Sequence, residues 1–170
     1  LNNLFDMIQI EHEISELKSS ILLMWDLVIR QLNNALVSIK DGDKDIALGV
    51  QEHEKRVNAR EWSIDRSCEN FIALFQPVAT DFRYALASLK INTNLERIGD
   101  IACGISEYVT DTDKDFNPEM MEIMEVEKMM ILSIEMVKDL KDAFDTEDTK
   151  LARTIFKRDK ILDQINEKGS

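Results

Sequence analysis

The sequence predicts an all-α protein of long antiparallel helices, arranged as two pseudo-repeated three-helix bundles of which the second is incomplete. Three observations predict this fold. Gly and Pro are scarce, at 5 and 2 of 170 residues, whereas β-sheet folds need such residues at their turns. Apolar residues recur every three or four positions through long segments, which is the helical period. Part of the chain also matches itself after a shift of about 105 residues.

Four polar breaks divide the chain into helical segments. They lie at Asp41–Asp43, Gln76–Pro77, 111–118 and 146–148. The segments between them hold about 30 residues, which corresponds to helices of about 45 Å. Asp43 or Asp45 is suited to cap the second helix, and Asn117 followed by Pro118 is suited to begin the fourth.

Each of the first three segments carries one apolar stripe, as expected for packed amphipathic helices. In the first segment the stripe includes Leu17, Ile21, Trp25, Val28, Leu32, Ala35 and Ile39. In the second it includes Val50, Val57, Ile64, Cys68 and Phe71. In the third it is formed by Tyr84, Ala87, Ile91, Leu95, Ile98, Ala102, Ile105 and Val109. Long helices with short connections pack antiparallel, so this region is expected to form one bundle.

The internal repeat places the fourth and fifth segments on the first and second. Under the shift, Asp43 falls on Asp148 and Ala47 falls on Ala152. We therefore predict a first repeat at 1–110, a linker at 111–117 and a partial second repeat at 118–170. A complete second copy would need a sixth helix reaching about residue 215, so we expect the sequence to be a fragment of a two-bundle protein.

Composition excludes several classes of protein. With 33 Asp and Glu against 21 Lys and Arg, the net charge is −12, which disfavours direct nucleic-acid binding. No apolar run approaches the ~20 residues of a membrane span, so membrane insertion is not expected. Two cysteines cannot support a disulfide scaffold. The absence of a signal-peptide pattern makes a soluble, cytoplasmic location the expectation.

Two pairs of oxygen-bearing side chains predict a cation site. Glu96 and Asp100 are four residues apart and therefore share a face of the third helix. In an antiparallel hairpin turning at Gln76–Pro77, Glu54 and Asn58 lie level with them. The repeat places Asp159 and Asp163 on Glu54 and Asn58, which indicates half of a second site. Carboxylate and amide oxygens suit hard ions such as Mg²⁺, Mn²⁺, Ca²⁺ or iron.

A lower-ranked carboxylate pair, Glu61 and Asp65, lies two turns further along the second helix and has no copy in the repeat. A solvated acidic face that binds nothing is the alternative for every pair, because pairs of acids four residues apart are frequent in so acidic a chain.

Enzyme chemistry is not predicted. Ferritin-like di-iron enzymes use Glu-x-x-His pairs, and neither His12 nor His53 has Glu three residues before it. Phosphotransfer through either histidine is the less favoured hypothesis, and a solvated position on the surface is the more favoured one. Cys68 lies on an apolar stripe and is expected to be a buried hydrophobe. Cys103 lies off its stripe, with no neighbouring base identifiable.

The chain resembles the PhoU family of phosphate-uptake regulators, most strongly in residues 10–110. The resemblance is carried by Gln76–Ala79 (QPVA), Asp81–Arg83 (DFR), Leu95–Asp100 (LERIGD), Glu54–Asn58 (EKRVN) and Ser15–Lys18 (SELK). The QP and ERIGD elements at this spacing are fairly specific together.

The resemblance implies two pseudo-repeated three-helix bundles with multinuclear metal clusters, usually iron or zinc, held by paired (E/D)xxxD motifs. It implies a cytoplasmic, non-enzymatic negative regulator that acts between the phosphate ABC transporter, through its ATPase subunit, and a sensor histidine kinase. A homodimer is expected as well. Carried over by residue, the first site is formed by Glu54, Asn58, Glu96 and Asp100, and half of the second by Asp159 and Asp163. Asn58 departs from the family pattern, where an acid is typical. The alternative is a helical structural adaptor without tight metal binding.

Overall fold

The structure, a computed structural model, describes residues 2–112, 122 and 124–169. These residues form five α-helices: α1 (Asn2–Asp41), α2 (Lys44–Phe75), α3 (Ala79–Asp111), α4 (Val126–Asp145) and α5 (Thr149–Gly169). No strand occurs in the described ranges, and the predicted all-α class is confirmed. Most of the predicted linker and the predicted helix start at Asn117–Pro118 lie outside the described residues.

The helices end where the sequence places its polar breaks. Gly42, Gln76 and Glu147 each have a positive φ, of 64°, 44° and 57°. Gly42 and Gln76 directly follow α1 and α2, and Glu147 is the second residue after α4. A left-handed residue at such a position turns the chain out of the helical path and is a common way for helices to end. The breaks predicted after α1, α2 and α4 are therefore confirmed.

The internal repeat is visible in the geometry of two turns. After α1, the Asp43 amide donates to the Ser38 carbonyl at 3.0 Å; after α4, the Asp148 amide donates to the Ala143 carbonyl at 2.9 Å. The Asp43 and Asp148 carboxylates then cap the following helices, accepting from the amides of Ile46 and Leu151 at 3.0 Å in both cases. The sequence repeat aligns the residues of the first turn with those of the second, namely Ser38 with Ala143, Asp43 with Asp148 and Ile46 with Leu151.

Removing the α2 cap is expected to weaken folding measurably. In the Asp43→Ala variant the Ile46 amide loses its acceptor, so the free energy of unfolding should fall by about 1 kcal/mol. Urea denaturation monitored by circular dichroism measures this change. Asp45→Ala is the matched control, because it removes the same charge two residues away from the cap. Equal losses in the two variants would contradict the assignment of Asp43 as the cap.

The described helices pack as two compact units. The first comprises the described parts of 1–28 and 55–99, and the second those of 29–54 and 100–170. The long helices α1, α2 and α3 each contribute one part to each unit. The predicted domains 1–110 and 118–170 follow the sequence repeat instead, and they stay a prediction.

Each unit has an apolar core. In the first unit the buried residues include Leu17, Ile21, Met24, Trp25, Val28, Val57, Ile64, Cys68, Phe71, Ala85 and Leu95. In the second they include Leu32, Ala35, Ile39, Ala47, Val50, Ala102, Val109, Met130, Ile134, Val137, Ala143, Ile155 and Ile165. Most of the buried residues that α1 and α2 contribute to these two sets belong to the apolar stripes predicted from the sequence.

The buried side of α3 differs from its predicted stripe. It is lined by mostly small or polar residues, namely Ala85, Ser88, Asn92, Leu95, Gly99, Ala102, Ser106 and Val109. Ala87 is exposed, and Tyr84, Ile91, Ile98 and Ile105 are only half-buried. The prediction followed the bulkiest apolar residues, whereas the distance between packed helices depends on the side chains at the contact. Small residues at that contact leave the isoleucines at its edges.

Candidate functional site

The four residues of the predicted first cation site occupy the middle of α2 and α3. Glu54, Asn58 and Glu96 are half-buried, and Asp100 is exposed. Each pair lies one helical turn apart on its own helix, as predicted. Glu54 and Asp100 belong to the second compact unit, and Asn58 and Glu96 to the first.

In the second unit, Glu54 contacts a buried cysteine. The Cys103 thiol donates a hydrogen bond to Glu54 Oε2 at 3.1 Å, and Glu107 Oε1 lies 4.0 Å from the same sulfur. Burial first, and then the hydrogen bond to Glu54 and the charges of Glu54, Glu107 and Asp100, together raise the pKa of Cys103 to about 12. The thiol is therefore protonated at neutral pH, with the carboxylates of Glu54 and Glu107 beside it.

Sequence reasoning missed this contact. It found no base near Cys103. The structure shows that this is wrong, because Glu54 accepts the hydrogen bond that the Cys103 thiol donates. Equidistance from the Gln76–Pro77 turn places Glu54 level with Gly99, one turn before Cys103. The spacing of Asp100, Cys103 and Glu107, three and four residues apart on one helix, was the available signal.

In the first unit, Asn58 carries a feature that fits a ligand role. Its Oδ1 atom is buried and accepts no hydrogen bond from any described residue. A buried polar atom without a partner costs free energy, and a cation coordinated by this oxygen would remove that cost. An amide oxygen is also an ordinary ligand for hard cations.

The ligands are not preassembled. Among the described residues, no group of three or more His, Cys, Asp and Glu side chains is arranged to hold a metal ion. Glu54 is engaged by the Cys103 thiol.

The lower-ranked pair, Glu61 and Asp65, has a packing role in the first unit. The Asn92 side-chain amide donates to Asp65 Oδ1 at 2.8 Å and to the Glu61 carbonyl at 3.0 Å. Asn92 is fully buried, so these bonds satisfy two amide N–H groups that water cannot reach, while its Oδ1 accepts no hydrogen bond from a described residue. Asp65 thereby ties α2 to α3.

Asp159 and Asp163, the predicted half of a second site, are both exposed on α5. They lie one turn apart on the same helix, as the repeat predicts. The neighbouring Arg158 pairs with Asp139 of α4 at 2.6 Å, which holds α4 and α5 together.

The family comparison covers most of the chain. A model described as the PhoU domain matches residues 21–109 and 126–169. The chain belongs to the PhoU family. The match includes both of the helical repeats predicted from the sequence, and the earlier resemblance is thereby confirmed.

Curated PhoU relatives support the assignment. The chain is 30% identical to "Phosphate-specific transport system accessory protein PhoU homolog 1" of Thermotoga maritima, over 96% of this chain and 70% of the relative. It is 37% identical to "Phosphate-specific transport system accessory protein PhoU" of Serratia marcescens over 94 residues, which are 55% of this chain and 39% of that protein. The chain thus spans about two fifths of the Serratia protein.

Two solved PhoU structures share the fold. The structure of PhoU from Pseudomonas aeruginosa superposes with a TM-score of 0.87 at 30% identity, covering 91% of this chain and 74% of that one. The phosphate transport system regulatory protein PhoU from Streptococcus pneumoniae superposes with a TM-score of 0.82 at 27% identity, covering 92% and 72%. The predicted helical-bundle fold is confirmed.

No helix in the described ranges has an apolar stretch long enough to span a bilayer.

Proposed function

We propose that this PhoU-family chain is a cytoplasmic, non-enzymatic negative regulator of phosphate uptake and phosphate-starvation signalling. The observation that carries the proposal is the match of the PhoU domain across residues 21–109 and 126–169. The names of its relatives describe accessory and regulatory proteins of phosphate transport systems.

The regulator acts between two protein partners, the ATPase subunit of a phosphate ABC transporter and a sensor histidine kinase, and it forms a homodimer. Exposed apolar side chains in the first unit support protein–protein contact. Leu74 and Val78 are mostly exposed near the α2–α3 turn, and Phe82 follows one turn into α3. Solvent-facing apolar groups of this kind are typical of interaction surfaces when they cluster.

Reconstitution of repression tests the regulatory role. We expect the chain to restore repression of a phosphate-starvation reporter in phosphate-replete cells that lack their own PhoU protein. Surface plasmon resonance against the purified ATPase subunit and against the kinase then tests each partner separately. Absence of repression together with absence of binding to both proteins would overturn the proposal.

The proposal includes bound metal ions, iron or zinc clusters first, with Mg²⁺ or Mn²⁺ as alternatives. The ligands are those that the sequence predicts, namely Glu54, Asn58, Glu96, Asp100, Asp159 and Asp163, with Glu61 and Asp65 ranked lower. The unpartnered Oδ1 of Asn58 and the carboxylates around Cys103 support the first site. A bound cation would offset the repulsion between neighbouring carboxylates, and the protein would gain stability as the ion binds.

Removing two carboxylates is expected to abolish most of the metal bound at the first site. The Glu96→Ala/Asp100→Ala double variant should lose this metal and remain helical, because neither side chain belongs to an apolar core. Elemental analysis of protein purified without chelators, followed by titration with Fe²⁺, Zn²⁺ and Mn²⁺, measures the content.

Glu11→Ala/Glu16→Ala is the matched control, since it removes two exposed acids of α1 and produces the same change in net charge. Equal metal content in the double variant and the control would contradict the site.

The second candidate function is a helical structural adaptor that binds no metal tightly. It is favoured by one observation, that no preassembled group of three or more ligand side chains exists in the described ranges. Metal-free protein that represses the reporter as strongly as the metal-loaded form would establish this alternative.

A further inference from the structure

One face of α2 concentrates basic charge and an exposed tryptophan on an acidic protein. Lys55, Ala59, Trp62 and Arg66 follow each other at spacings of four, three and four residues, so they share one helical face. All four are exposed, and Trp62 is 76% exposed. We name these four residues the basic stripe; it is about 16 Å long and lies wholly in the first compact unit.

Packing does not explain the position of Trp62. The core residues of α2 in this unit are Val57, Ile64, Cys68 and Phe71, which lie on the opposite side of the helix. The other tryptophan, Trp25, is 6% exposed. A large aromatic side chain held in solvent contributes little to folding, and tryptophan is among the residues most enriched at the centres of protein interfaces.

The local charge has the opposite sign to the whole chain. Residues 55–66 contain four basic and two acidic residues, a net charge of +2, whereas the chain carries −12. The exposed acids Glu52 and Glu69 flank this segment at its two ends. Both acids of the segment are half-buried, and the Asp65 carboxylate accepts a hydrogen bond from the Asn92 side-chain amide. Within the described ranges, Lys55, Arg56 and Arg66 form no ion pair. The cations of the basic stripe are therefore available to a partner.

We propose that the basic stripe is a docking surface for an acidic amphipathic segment of a partner protein, with Trp62 packing on its apolar side chains and Arg66 and Lys55 pairing with its carboxylates. This inference goes beyond the proposed function, because it names the chemistry of one contact and does not depend on metal binding.

Charge decides between this occupant and the others that a basic surface could take. An anionic bilayer would meet a narrow positive stripe on a molecule of net charge −12, which the surface potential of the membrane repels. Nucleic acid is opposed for the same reason, because its binding requires many neutralised phosphates. A short acidic segment differs from a bilayer or a duplex in that it covers little more than the stripe itself, so the local positive charge outweighs the distant acidic surface, and opposite charges steer association.

The experiment uses a fluorescent synthetic peptide of about 18 residues, with leucine on one helical face and glutamate on the others. We expect it to bind the protein and to protect Trp62 from acrylamide quenching, since Trp25 is already shielded. Trp62→Ala and Arg66→Glu should each weaken binding about tenfold or more by fluorescence anisotropy. Higher salt should weaken binding further.

Matched controls separate the stripe from general surface effects. Leu23→Ala removes another exposed apolar side chain, 51% exposed, from α1 in the same unit, and Arg83→Glu reverses an exposed charge on α3 in that unit. Both should bind the peptide within about twofold of the parent protein. Arg66→Lys keeps the charge and should recover part of the affinity.

Four results would overturn the proposal. The first is that the acidic peptide does not bind, and the second is that Trp62→Ala and Arg66→Glu bind it as tightly as the parent protein does. The third is that a peptide with lysine in place of every glutamate binds as tightly as the acidic peptide. The fourth is that the protein binds vesicles containing about one third phosphatidylserine more tightly than it binds the acidic peptide. Circular dichroism of each variant confirms that the fold is retained before the affinities are compared.

Discussion

Replacing Ile64 with alanine is expected to lower the free energy of unfolding by about 3 kcal/mol, within the 2–5 kcal/mol typical of buried isoleucine truncations. Ile64 is 1% exposed and packs in the core of the first unit. The substitution removes three carbon atoms and leaves a cavity that the surrounding helices fill only in part. Urea denaturation followed by circular dichroism measures the loss.

Trp62→Ala is the matched control for this prediction. It removes a larger side chain two residues away on the same helix, but Trp62 is 76% exposed, so its loss should change stability by less than about 0.5 kcal/mol. The two variants therefore separate folding from binding, because Trp62→Ala is expected to impair only peptide binding. A large destabilisation by Trp62→Ala would show that the indole packs in the folded state.

Stability is expected to fall in alkaline solution because of Cys68. Burial first, and then the charges of Asp65 and Glu69, together raise the pKa of this thiol to about 12. In the unfolded chain the thiol loses its proton near its ordinary value of 9.0. The contribution of Cys68 is therefore fully present below pH 9 and decreases as the pH rises from 9 to 12, by about 3 kcal/mol at pH 11.

The Cys68→Ala variant isolates this effect. The other ionisable groups are common to both proteins, so their contributions cancel in the comparison. The variant should be less stable than the parent at pH 8, since it leaves a small cavity, and the difference should shrink or reverse at pH 11. Denaturant titrations at both pH values measure it. Parallel pH dependence in the two proteins would show that the folded thiol ionises as readily as the unfolded one.

The helix boundaries were predictable because local residues encode them. Gly42 adopts the left-handed conformation that ends α1, Pro77 cannot continue α2, and Asp148 caps α5. Each signal acts within a few residues and does not depend on the rest of the fold. The repeat was predictable for the same reason, since the two turns use the same aspartate cap.

The packing of α3 and the surroundings of Cys103 were not predictable in this way. Periodicity shows which residues share a face, but not whether large or small side chains form the closest contact, and α3 packs through Ala85, Ser88 and Asn92. The bond between Cys103 and Glu54 depends on how far the glutamate side chain reaches along the neighbouring helix, which periodicity does not give. The division of α1, α2 and α3 between two compact units likewise arises from tertiary packing.

The two equivalent turns differ at their centre, and the difference bears on how such turns tolerate substitution. Gly42 occupies the left-handed position in the first turn with a φ of 64°, and Glu147 occupies it in the second with a φ of 57°. A β-carbon built on Gly42 would meet nothing within 4 Å, so space does not require glycine there. The aspartate cap and the backbone bond from its amide are common to both turns, which share this conformation although only one has glycine at its centre. Glycine reduces the strain of the turn by about 1–2 kcal/mol. A residue with a side chain can therefore occupy the centre of such a turn, but at that cost in stability.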